Sequence, residues 1–367
     1  MTTMTEIDQA AERRDALVGR LFNASVETLE VFTIYLGERL GLYRGLADLG
    51  VATSAELAAA SGNHERYVRE WLEQQAAASL LECLDPTQDA ASRRYRLPDG
   101  HGEVLLDRDS LNYFSGILRL VVGATSPLAA LQQAFRSGGG VPYPDYGVDT
   151  LEGIGDMNRP MFLNLLGTQW LPSVPDVHAR LQADPPARVA DVGCGLGWSS
   201  IAISRAYPNA QVDGFDVDPA SIDGARANAA AAGLEDRLHF SLLDASDPVL
   251  SGRYDLVTAF ETIHDMARPV EALRNLRELV REEGTVIVAD ERVGDTFAAP
   301  GTEIERFNYG FSVLHCLAVG MAESPSAGTG TVLRLPLLRQ YALEAGFRDV
   351  EVLPIDNDFW RFYRLVA

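Results

Sequence analysis

The spacing of hydrophobic residues changes twice along the 367-residue chain. From residue 21 to residue 105, apolar residues recur every three or four positions in short stretches such as 31–49, which predicts short amphipathic helices joined by tight turns. Residues 106–180 keep this spacing, but glycines and prolines interrupt it at 137–144, which predicts a helical linker with a mobile loop that covers a pocket. From residue 188 onward, short apolar runs alternate with helical stretches. We therefore predict three segments, 1–105, 106–180 and 181–367.

The first segment has the order of elements that is typical of a winged helix. Thr53 followed by Glu56 predicts the start of a short helix over 55–60, because these two side chains can cap its first backbone N–H groups. A turn and a longer helix over 64–81 follow, and 95–97 is predicted as one strand of a hairpin. Helix, turn, helix and hairpin together predict a winged-helix unit.

The charge of this unit argues against binding to DNA. Residues 36–105 contain seven arginines and eleven acidic residues, and the helix that would enter a DNA groove carries Glu65, Glu70 and Glu73. A groove-binding helix needs a basic exposed face. We therefore predict that the segment 1–105 forms dimer contacts and shapes a pocket, without nucleic acid as a partner.

The last segment predicts a parallel sheet covered by helices. Alternation of strands and helices along a chain is typical of a doubly wound, Rossmann-like α/β fold. Two further strands, at 350–353 and 360–365, follow the last helix and predict an antiparallel hairpin added to the sheet. The other predicted strands are 188–192, 211–215, 238–242, 254–260 and 285–289, and the predicted helices lie near 199–207, 219–232, 269–282 and 335–345.

Composition then excludes several kinds of chemistry. The net charge is −21, and all 31 basic residues are arginines. Without lysine, the chain cannot form a Schiff base or make the lysine–phosphate contacts of Walker-type NTPases and protein kinases. The acidic balance disfavours nucleic acid and anionic membranes as partners. The polar N-terminal sequence and the lack of a long apolar run predict a cytoplasmic protein with no signal peptide and no membrane span.

The strongest local motif is a glycine-rich turn between the first strand of the predicted sheet and its helix. It reads Asp191-Val-Gly193-Cys194-Gly195-Leu-Gly197. Glycines let the backbone approach a ligand, and the N-terminus of the following helix offers free N–H donors. A nicotinamide-binding fingerprint would need a small residue where Trp198 stands. The motif instead resembles motif I of class I S-adenosylmethionine-dependent methyltransferases.

This resemblance implies S-adenosylmethionine as the cofactor and a set of residues that bind it. Asp216 ends the second strand of the sheet, where a carboxylate accepts hydrogen bonds from a ribose diol. Asp244 ends the third strand, where the family contacts adenine, and Phe260-Glu261 end the fourth strand beside the methionine part. The implied cofactor-binding residues are Asp191, Gly193, Cys194, Gly195, Gly197, Asp216, Val217, Asp244, Ala245, Phe260 and Glu261.

A second motif, His264-Asp265, follows the fourth strand of the predicted sheet. It resembles the pair at which plant and bacterial small-molecule O-methyltransferases place their general base. A histidine whose pKa lies near neutral can remove a proton from a hydroxyl or an enol. Asp290-Glu291 end the fifth strand, where that family places acids that orient the histidine. The resemblance thus implies His264, Asp265 and Glu291 as catalytic residues.

The winged helix and the last segment together resemble actinobacterial winged-helix methyltransferases. A subset of these, the α-keto acid C-methyltransferases of peptide-antibiotic pathways, holds a divalent or ferric metal ion with histidines that map onto His264 and His315. Such an ion could stabilise the enolate of a 2-keto acid. Asn357 and Asp358 are candidates for a third ligand. The three widely spaced cysteines predict neither a disulfide framework nor a thiolate metal site.

The sequence allows two predictions for the acceptor and for the atom that is methylated. One is metal-assisted C-methylation of a 2-keto acid in secondary metabolism, and the other is metal-free O- or N-methylation of an aromatic natural product with His264 as the base. Two rival classes are a winged-helix regulator that senses a nucleotide-like ligand and a nicotinamide-dependent oxidoreductase. The predicted partners are a small-molecule acceptor and, through the N-terminal segment, a second copy of the chain. Candidate walls of the acceptor pocket are Tyr143, Tyr146, Trp170, Phe307, Phe311, Met321 and Trp360, and Arg159 is a candidate anchor for an acidic acceptor.

Overall fold

The computed structural model describes residues 4–247 and 253–367, which divide into two units, Met1–Val122 and Gly123–Ala367. Residues 1–3 and 248–252, which fall in the predicted segments 1–105 and 181–367, lie outside the description. The boundary between the two units falls inside a helix, Ser115–Ala124. Within the two described stretches, no helix is both long enough and apolar enough to cross a membrane.

The first unit begins with one long helix rather than with several short ones. Helix α1 spans Met4–Arg39, and Gly41, which follows it, adopts a left-handed conformation with a φ of 68°. The apolar stretch 31–49 is therefore divided between two helices. The elements of this unit are the helices α1 (Met4–Arg39), α2 (Leu42–Leu49), α3 (Ser54–Ser61), α4 (Glu65–Ala77), α5 (His101–Leu106) and α6 (Ser115–Ala124), and the strands β1 (Glu82–Cys83) and β2 (Tyr95–Arg96).

The predicted winged helix is confirmed. Thr53 and Glu56 form the capping box at the start of α3: the Thr53 hydroxyl accepts a bond from the Glu56 N–H at 3.3 Å, and the Glu56 carboxylate accepts one from the Thr53 N–H at 2.8 Å. Strands β1 and β2 pair antiparallel, and a bridge between Ala52 and Tyr95 ties this hairpin to the chain ahead of α3. The core of the unit includes Tyr43, Leu46, Leu57, Leu72 and Tyr95.

The second unit contains the large sheet and the helices around it. Its helices are α7 (Leu128–Ser137), α8 (Val148–Met161), α9 (Pro175–Gln182), α10 (Trp198–Ala206), α11 (Pro219–Ala231), α12 (Pro269–Leu279), α13 (Glu303–Phe311), α14 (Leu317–Gly320) and α15 (Leu335–Glu344). Its strands are β3 (Arg188–Val192), β4 (Gln211–Asp216), β5 (Leu238–Leu242), β6 (Tyr254–Phe260), β7 (Val280–Glu291), β8 (Asp349–Val352) and β9 (Trp360–Val366). Short 3₁₀ turns occupy Tyr143–Tyr146 and Ile263–Asp265, and π-helical segments occupy Phe162–Trp170 and Ser312–Cys316.

The seven strands of the second unit form one mixed sheet in the order β5-β4-β3-β6-β7-β9-β8. Strands β3 to β7 run parallel, and β9 pairs antiparallel with both β7 and β8. The predicted α/β sheet with a terminal antiparallel hairpin is confirmed. The strand order reverses between β3 and β6, and ligands of open α/β sheets bind beyond the carboxyl ends of strands at such a point.

Strand β7 starts five residues earlier than predicted, at Val280 rather than at 285. The sequence pattern continues the preceding helix to 282, whereas α12 ends at Leu279. The reason lies in a contact that is distant along the chain: the Arg281 guanidinium pairs with Asp255, whose buried side chain lies on strand β6. This ion pair, with the backbone pairing of Tyr254 and Val280, extends the strand through a charged stretch.

Successive residues of a strand pack into separate hydrophobic cores on the two faces of the sheet. On β6, Leu256 lies in the core that includes α10, whereas Val257 lies in the core that includes α12 and α15. Ile287 and Val288 on β7 divide in the same way. Because both faces are buried, the register of the strands is fixed, and with it the positions of the residues at their carboxyl ends.

Candidate active site

The glycine-rich turn after β3 is held against the end of β4. The backbone N–H groups of Gly193 and Cys194 both donate to the Phe215 carbonyl, at 2.8 and 3.0 Å. Gly193 has a φ of 70°, and a Cβ atom there would lie 2.4 Å from the Thr262 hydroxyl oxygen. A side chain at this position is therefore excluded both by conformation and by space, as a turn that approaches a ligand closely requires.

Asp191 supports this turn from behind. Its carboxylate is buried and accepts bonds from the hydroxyls of Ser199 and Ser200, at 2.6 Å each, and of Thr258, at 2.8 Å. Burial raises the pKa of Asp191, and these hydrogen bonds oppose that shift. The geometry thus makes Asp191 a positioning residue that joins β3, β6 and the first turn of α10.

Asp216 lies at the mouth of the same turn. One carboxylate oxygen accepts a bond from the Gly195 N–H at 2.8 Å, and the other accepts one from the Asp218 N–H at 2.9 Å. Asp218 itself caps α11 through the Ser221 N–H, and the side chain of Val217 between the two acids is exposed. Asp216 is therefore fixed in place, and carboxylate oxygens of this kind can accept further bonds from ligand hydroxyls.

The residues after β5 make a different set of contacts. The Asp244 carboxylate accepts a bond from the Arg268 guanidinium at 2.9 Å and one from the Ser246 N–H at 2.7 Å. The Ala245 carbonyl accepts a bond from Asn275 on α12 at 2.7 Å. These contacts fix the loop at the edge of the cleft where the adenine end of the cofactor is expected.

Phe260 and Glu261, at the end of β6, differ in their surroundings. The Phe260 ring is buried in the core, 5.7 Å from the Phe162 ring centroid. Glu261 adopts a left-handed conformation with a φ of 55°, and its carboxylate accepts a bond from the Asn158 amide of α8 at 2.5 Å. Backbone strain of this kind persists where the surrounding structure imposes it, often at functional sites.

His264 lies on the turn that follows β6 and is almost fully buried. Its Nδ1 is 2.8 Å from an Asp290 oxygen at the end of β7, and its Nε2 is 3.3 Å from an Asp265 oxygen. Burial lowers the pKa of His264, but Asp290 and Asp265 raise it by more, so that this pKa stands well above its usual value. Two carboxylates thus hold one imidazole between them.

The orienting contact to the histidine comes from Asp290 rather than from Glu291. Asp290 is fully buried and also accepts the Glu291 N–H at 3.0 Å. The Glu291 side chain instead lies near Glu261, and the two carboxyl groups influence each other's pKa. Burial and the negative charge of Glu261 raise the pKa of Glu291 well above its usual value.

His315 lies in the π-helical segment between α13 and α14, and π-bulges are frequent at functional sites. Its ring packs edge-on against Tyr146 and Tyr143, with centroid distances of 4.6 and 5.9 Å. Its Nδ1 lies 3.4 Å from the Cys316 sulfur. Burial lowers the pKa of His315, so its neutral form is favoured.

The candidate third metal ligands of the sequence analysis lie elsewhere. The Asn357 side-chain oxygen Oδ1 accepts the backbone N–H groups of Phe359 and Trp360 in a turn, and Asp358 is exposed. The structure instead brings Asp265 and Cys316 to His264: one potential ligand atom from each of these three residues lies within 4.8 Å of the others. Sequence spacing missed Cys316, although its position next to His315 was an available signal.

The glycine–proline stretch is attached to the helix that carries His315. The Val141 N–H donates to the Ala318 carbonyl at 2.9 Å, and the Tyr146 hydroxyl donates to the Leu314 carbonyl at 3.0 Å. Tyr143 follows on this stretch, and burial together with the charges of Asp216, Asp218 and Asp265 raises its pKa. Tyr143 therefore lies within electrostatic range of both Asp216 and the His264 turn.

Of the other residues predicted to line the acceptor pocket, some lie in the hydrophobic core and others do not. Trp170 and Trp360 are core residues, with ring centroids 5.6 Å apart. Phe307 and Phe311 are half-buried and stack 4.8 Å apart on α13, and Met321 is also half-buried. The Arg159 guanidinium lies 4.1 Å from the Trp198 ring centroid, in a cation–π contact.

Several buried polar atoms of the second unit have no hydrogen-bond partner within the described stretches. A buried polar atom without a partner costs roughly 1–3 kcal/mol, so a group of them indicates a place where a ligand completes the bonding. These atoms are Asn158 Oδ1, Asp290 Oδ2, Glu291 Oε2, Asn308 Nδ2 and His315 Nε2.

Two protein families match separate parts of the chain. Residues 183–318 match a family described as "Methyltransferase domain". Residues 29–107 match the "Rv2258c-like winged HTH domain". The first match includes the glycine-rich turn, His264 and His315, and the second includes the capping box and the wing.

Curated relatives match over shorter stretches. Ajmaline N-methyltransferase of Rauvolfia serpentina is 30% identical over 104 residues, which are 28% of this chain and 35% of that protein. Methyltransferase GfsG of Streptomyces halstedii is 30% identical over 129 residues, which are 35% of this chain and 46% of that protein. The chain thus spans less than half the length of these relatives.

Among solved structures, the likeness extends over nearly the whole chain. Human N-acetylserotonin methyltransferase, in complex with S-adenosylmethionine, has a TM-score of 0.66 at 16% identity and covers 95% of this chain and 97% of its own. At this identity the likeness establishes the fold. The chain therefore has the fold of this methyltransferase structure, with a segment similar to the Rv2258c-like winged HTH domain ahead of a segment similar to the methyltransferase domain.

Proposed function

We propose that this protein transfers a methyl group from S-adenosylmethionine to an oxygen or nitrogen of a small-molecule acceptor, with His264 as the general base. The observation that carries this proposal is the buried hydrogen bond between His264 Nδ1 and Asp290, at 2.8 Å, beyond the carboxyl ends of β6 and β7. A carboxylate behind Nδ1 fixes the ring orientation and the tautomer, as in other catalytic histidines. The names of the curated N-methyltransferase and of the human neighbour support a small acceptor.

The residues at the glycine-rich turn fit the cofactor. The space beside Gly193 is closed to a side chain, and the fixed carboxylate of Asp216 can accept the ribose hydroxyls. The exposed Val217 side chain offers an apolar contact for adenine, and Asp244 and Ala245 border the same end. When bound, S-adenosylmethionine supplies an electrophilic methyl group on a positively charged sulfur.

A side chain of the protein can accept the proton that the acceptor loses during methyl transfer. With Nδ1–H donated to Asp290, the Nε2 lone pair of His264 can take the proton of an acceptor hydroxyl or amine. The imidazolium that results lies between Asp290 and Asp265, and both charges stabilise it. The same carboxylates that raise the pKa of His264 therefore make it a stronger base, provided that it starts neutral.

A second candidate function is metal-assisted C-methylation of a 2-keto acid. It is favoured by the donor set of His264, Asp265 and Cys316, and by His315, whose Nε2 has no partner in the described part of the chain. The Asp290 carboxylate behind His264 is also the usual outer contact of a metal-binding imidazole. A bound divalent or ferric ion would supply Lewis acidity toward the keto carboxylate. These residues thus fit a metal ion as well as a proton.

For the N-terminal domain we propose contacts between two copies of the chain rather than recognition of DNA. On α4, Arg66 and Arg69 form ion pairs with Glu70 and Glu65 of the same helix, so their charges are balanced locally. On α1, large apolar side chains face solvent, and Phe22, Leu29 and Leu36 lie seven residues apart on one side of the helix. An exposed apolar stripe of this kind is typical of an interface.

One assay separates the two candidate reactions. Transfer of a labelled methyl group to phenols, amines and 2-keto acids should be measured with and without a chelator, for the native protein and for His264→Gln. We expect transfer to a phenol or amine that is insensitive to chelator and falls by about 10²–10⁴-fold in the variant. The control is His239→Gln, an exposed histidine of β5. Transfer confined to 2-keto acids and abolished by chelator would replace the first candidate with the second.

The pH dependence of kcat/KM tests the role of Asp290. Because the pKa of His264 is raised, the metal-free enzyme should lose activity as the pH falls through a value above the ordinary histidine pKa of about 6.5. Asp290→Asn removes a negative charge from His264, so this limb should move to lower pH while kcat falls. The exposed Asp349→Asn is the matched control. A limb that does not move in Asp290→Asn would contradict the assignment.

Sedimentation velocity tests the proposed dimer. The native protein should sediment as a dimer at micromolar concentration, and the double variant Phe22→Glu, Leu29→Glu should sediment as a monomer because charge is placed in the apolar stripe. Asn23→Glu, an exposed neighbour on α1, should leave the dimer intact. A native protein that sediments as a monomer would refute the proposal.

A further inference from the structure

The segment that begins with His264 ends at an arginine that the proton-transfer mechanism does not use. Arg268 lies directly before α12, and its guanidinium donates to the Asp244 carboxylate at 2.9 Å and lies 3.8 Å from an Asp247 oxygen. Arg268 follows His264 by four residues, which even a fully extended chain spans in at most about 14 Å. One short segment, 264–268, thus joins the proposed base to the acid in the loop after β5.

Backbone contacts hold this segment as a unit. The Gly330 N–H donates to the His264 carbonyl at 3.1 Å, and the Ala327 N–H donates to the Ala267 carbonyl at 2.8 Å. Both contacts come from the chain that follows α14. Because its backbone is held near both ends, segment 264–268 has little freedom to change shape. A change in the pull on Arg268 is therefore felt at His264.

The start of α12 and the loop after β5 are connected by two side-chain contacts of different kinds. Asn275 on α12 donates to the backbone carbonyl of Ala245 at 2.7 Å. Arg268 instead pairs with the Asp244 carboxylate, which borders the adenine end of the cleft in the proposed function. A carboxylate has about four lone-pair sites, so a new N–H donor there competes with Arg268 for its charge. Only the Arg268 contact is thus sensitive to an occupant at Asp244.

We propose that Arg268 is a positioning residue that couples occupation of the adenine end of the cleft to the placement of His264. This inference rests on the proposed function, because the occupant is the adenine of the cofactor. An occupant at Asp244 changes the pull on Arg268, and segment 264–268 transmits this change to the imidazole that Asp290 orients. The base is thereby placed for proton transfer when the methyl donor is present.

The test uses adenosine, which lacks the methionine part that would lie beside His264. Protein labelled with ¹³C in its histidine rings contains six such rings, and His264→Gln identifies the resonance of His264. Saturating adenosine should shift this resonance by more than its line width in the native protein, and should leave it unshifted in Arg268→Gln. Calorimetry establishes saturation, and the variant should bind adenosine about two- to five-fold more weakly, as expected for loss of one partly exposed ion pair.

A second set of variants tests the link without a ligand. Asp244→Asn removes the charge that attracts Arg268 and should itself shift the His264 resonance. The double variant Asp244→Asn, Arg268→Gln should give the same resonance as Arg268→Gln alone, because Asp244 acts through Arg268. Arg268→Lys retains the positive charge and should restore part of the response to adenosine. Arg274→Gln, exposed on α12, is the control and should behave as the native protein.

The proposal is overturned if bound adenosine leaves the His264 resonance of the native protein unchanged, or if the shift persists in folded, saturated Arg268→Gln. It is also overturned if Asp244→Asn shifts the resonance equally with and without Arg268. Melting temperatures verify that the variants are folded. Failure of the proposed function has a different signature: neither adenosine nor S-adenosylhomocysteine binds the native protein, whereas the ligand-free variants still report on the link between Asp244 and His264.

Discussion

The buried contact between His264 and Asp290 depends on the register of the sheet. Asp290 is the penultimate residue of β7 and pairs with Arg361 of β9, and the turn with His264 directly follows β6, the parallel neighbour of β7. Because both faces of these strands are buried, neither residue can shift without displacing a core. The 2.8 Å contact is therefore set by packing over many residues, and in the proposed mechanism it fixes where an acceptor proton would be received.

The whole site is built to hold positive charge. Asp265 and Asp290 lie on either side of His264, and Glu261 and Glu291 lie beyond it. A proton and a metal ion are different occupants of one acidic environment, in a chain whose net charge is −21. This explains why the same side chains fit a general base and a metal centre. A free 2-keto carboxylate would be repelled here, so that acceptor would require the metal ion.

Much of the fold was predictable because its signals are local. Strands β3 and β6 are mostly buried apolar runs and have the bounds that the pattern predicts. The edge strand β5 also has its predicted bounds, although only two of its residues are buried. The start of β7 was missed because Arg281 is placed by Asp255, a partner that is distant along the chain. The bounds of α1 were missed because its apolar stripe is exposed within one copy of the chain and extends the helix without adding to its core.

The sequence was sufficient to predict the motifs of the site, but not the contacts that their side chains make. The spacing of Asp191, Asp216 and His264 along the strands is a sequence property, and the three residues lie at the strand ends as expected. By contrast, the hydrogen bonds that the Asp191 carboxylate accepts from Ser199, Ser200 and Thr258 depend on the tertiary structure. So do the left-handed backbone of Glu261 and the position of Cys316 beside His264. No periodicity encodes such contacts, because each depends on how separate elements pack.

The central claim is that the turn at Gly193 and the carboxylate of Asp216 hold S-adenosylmethionine next to His264. The most direct measurement is a calorimetric titration of S-adenosylhomocysteine into the native protein, Asp216→Asn and the exposed control Asp236→Asn. A lost hydrogen bond to a charged group is worth about 1.5–3 kcal/mol, so the account predicts roughly ten- to hundred-fold weaker binding in Asp216→Asn alone. Equal affinity of all three proteins, or no binding by the native protein, would contradict it.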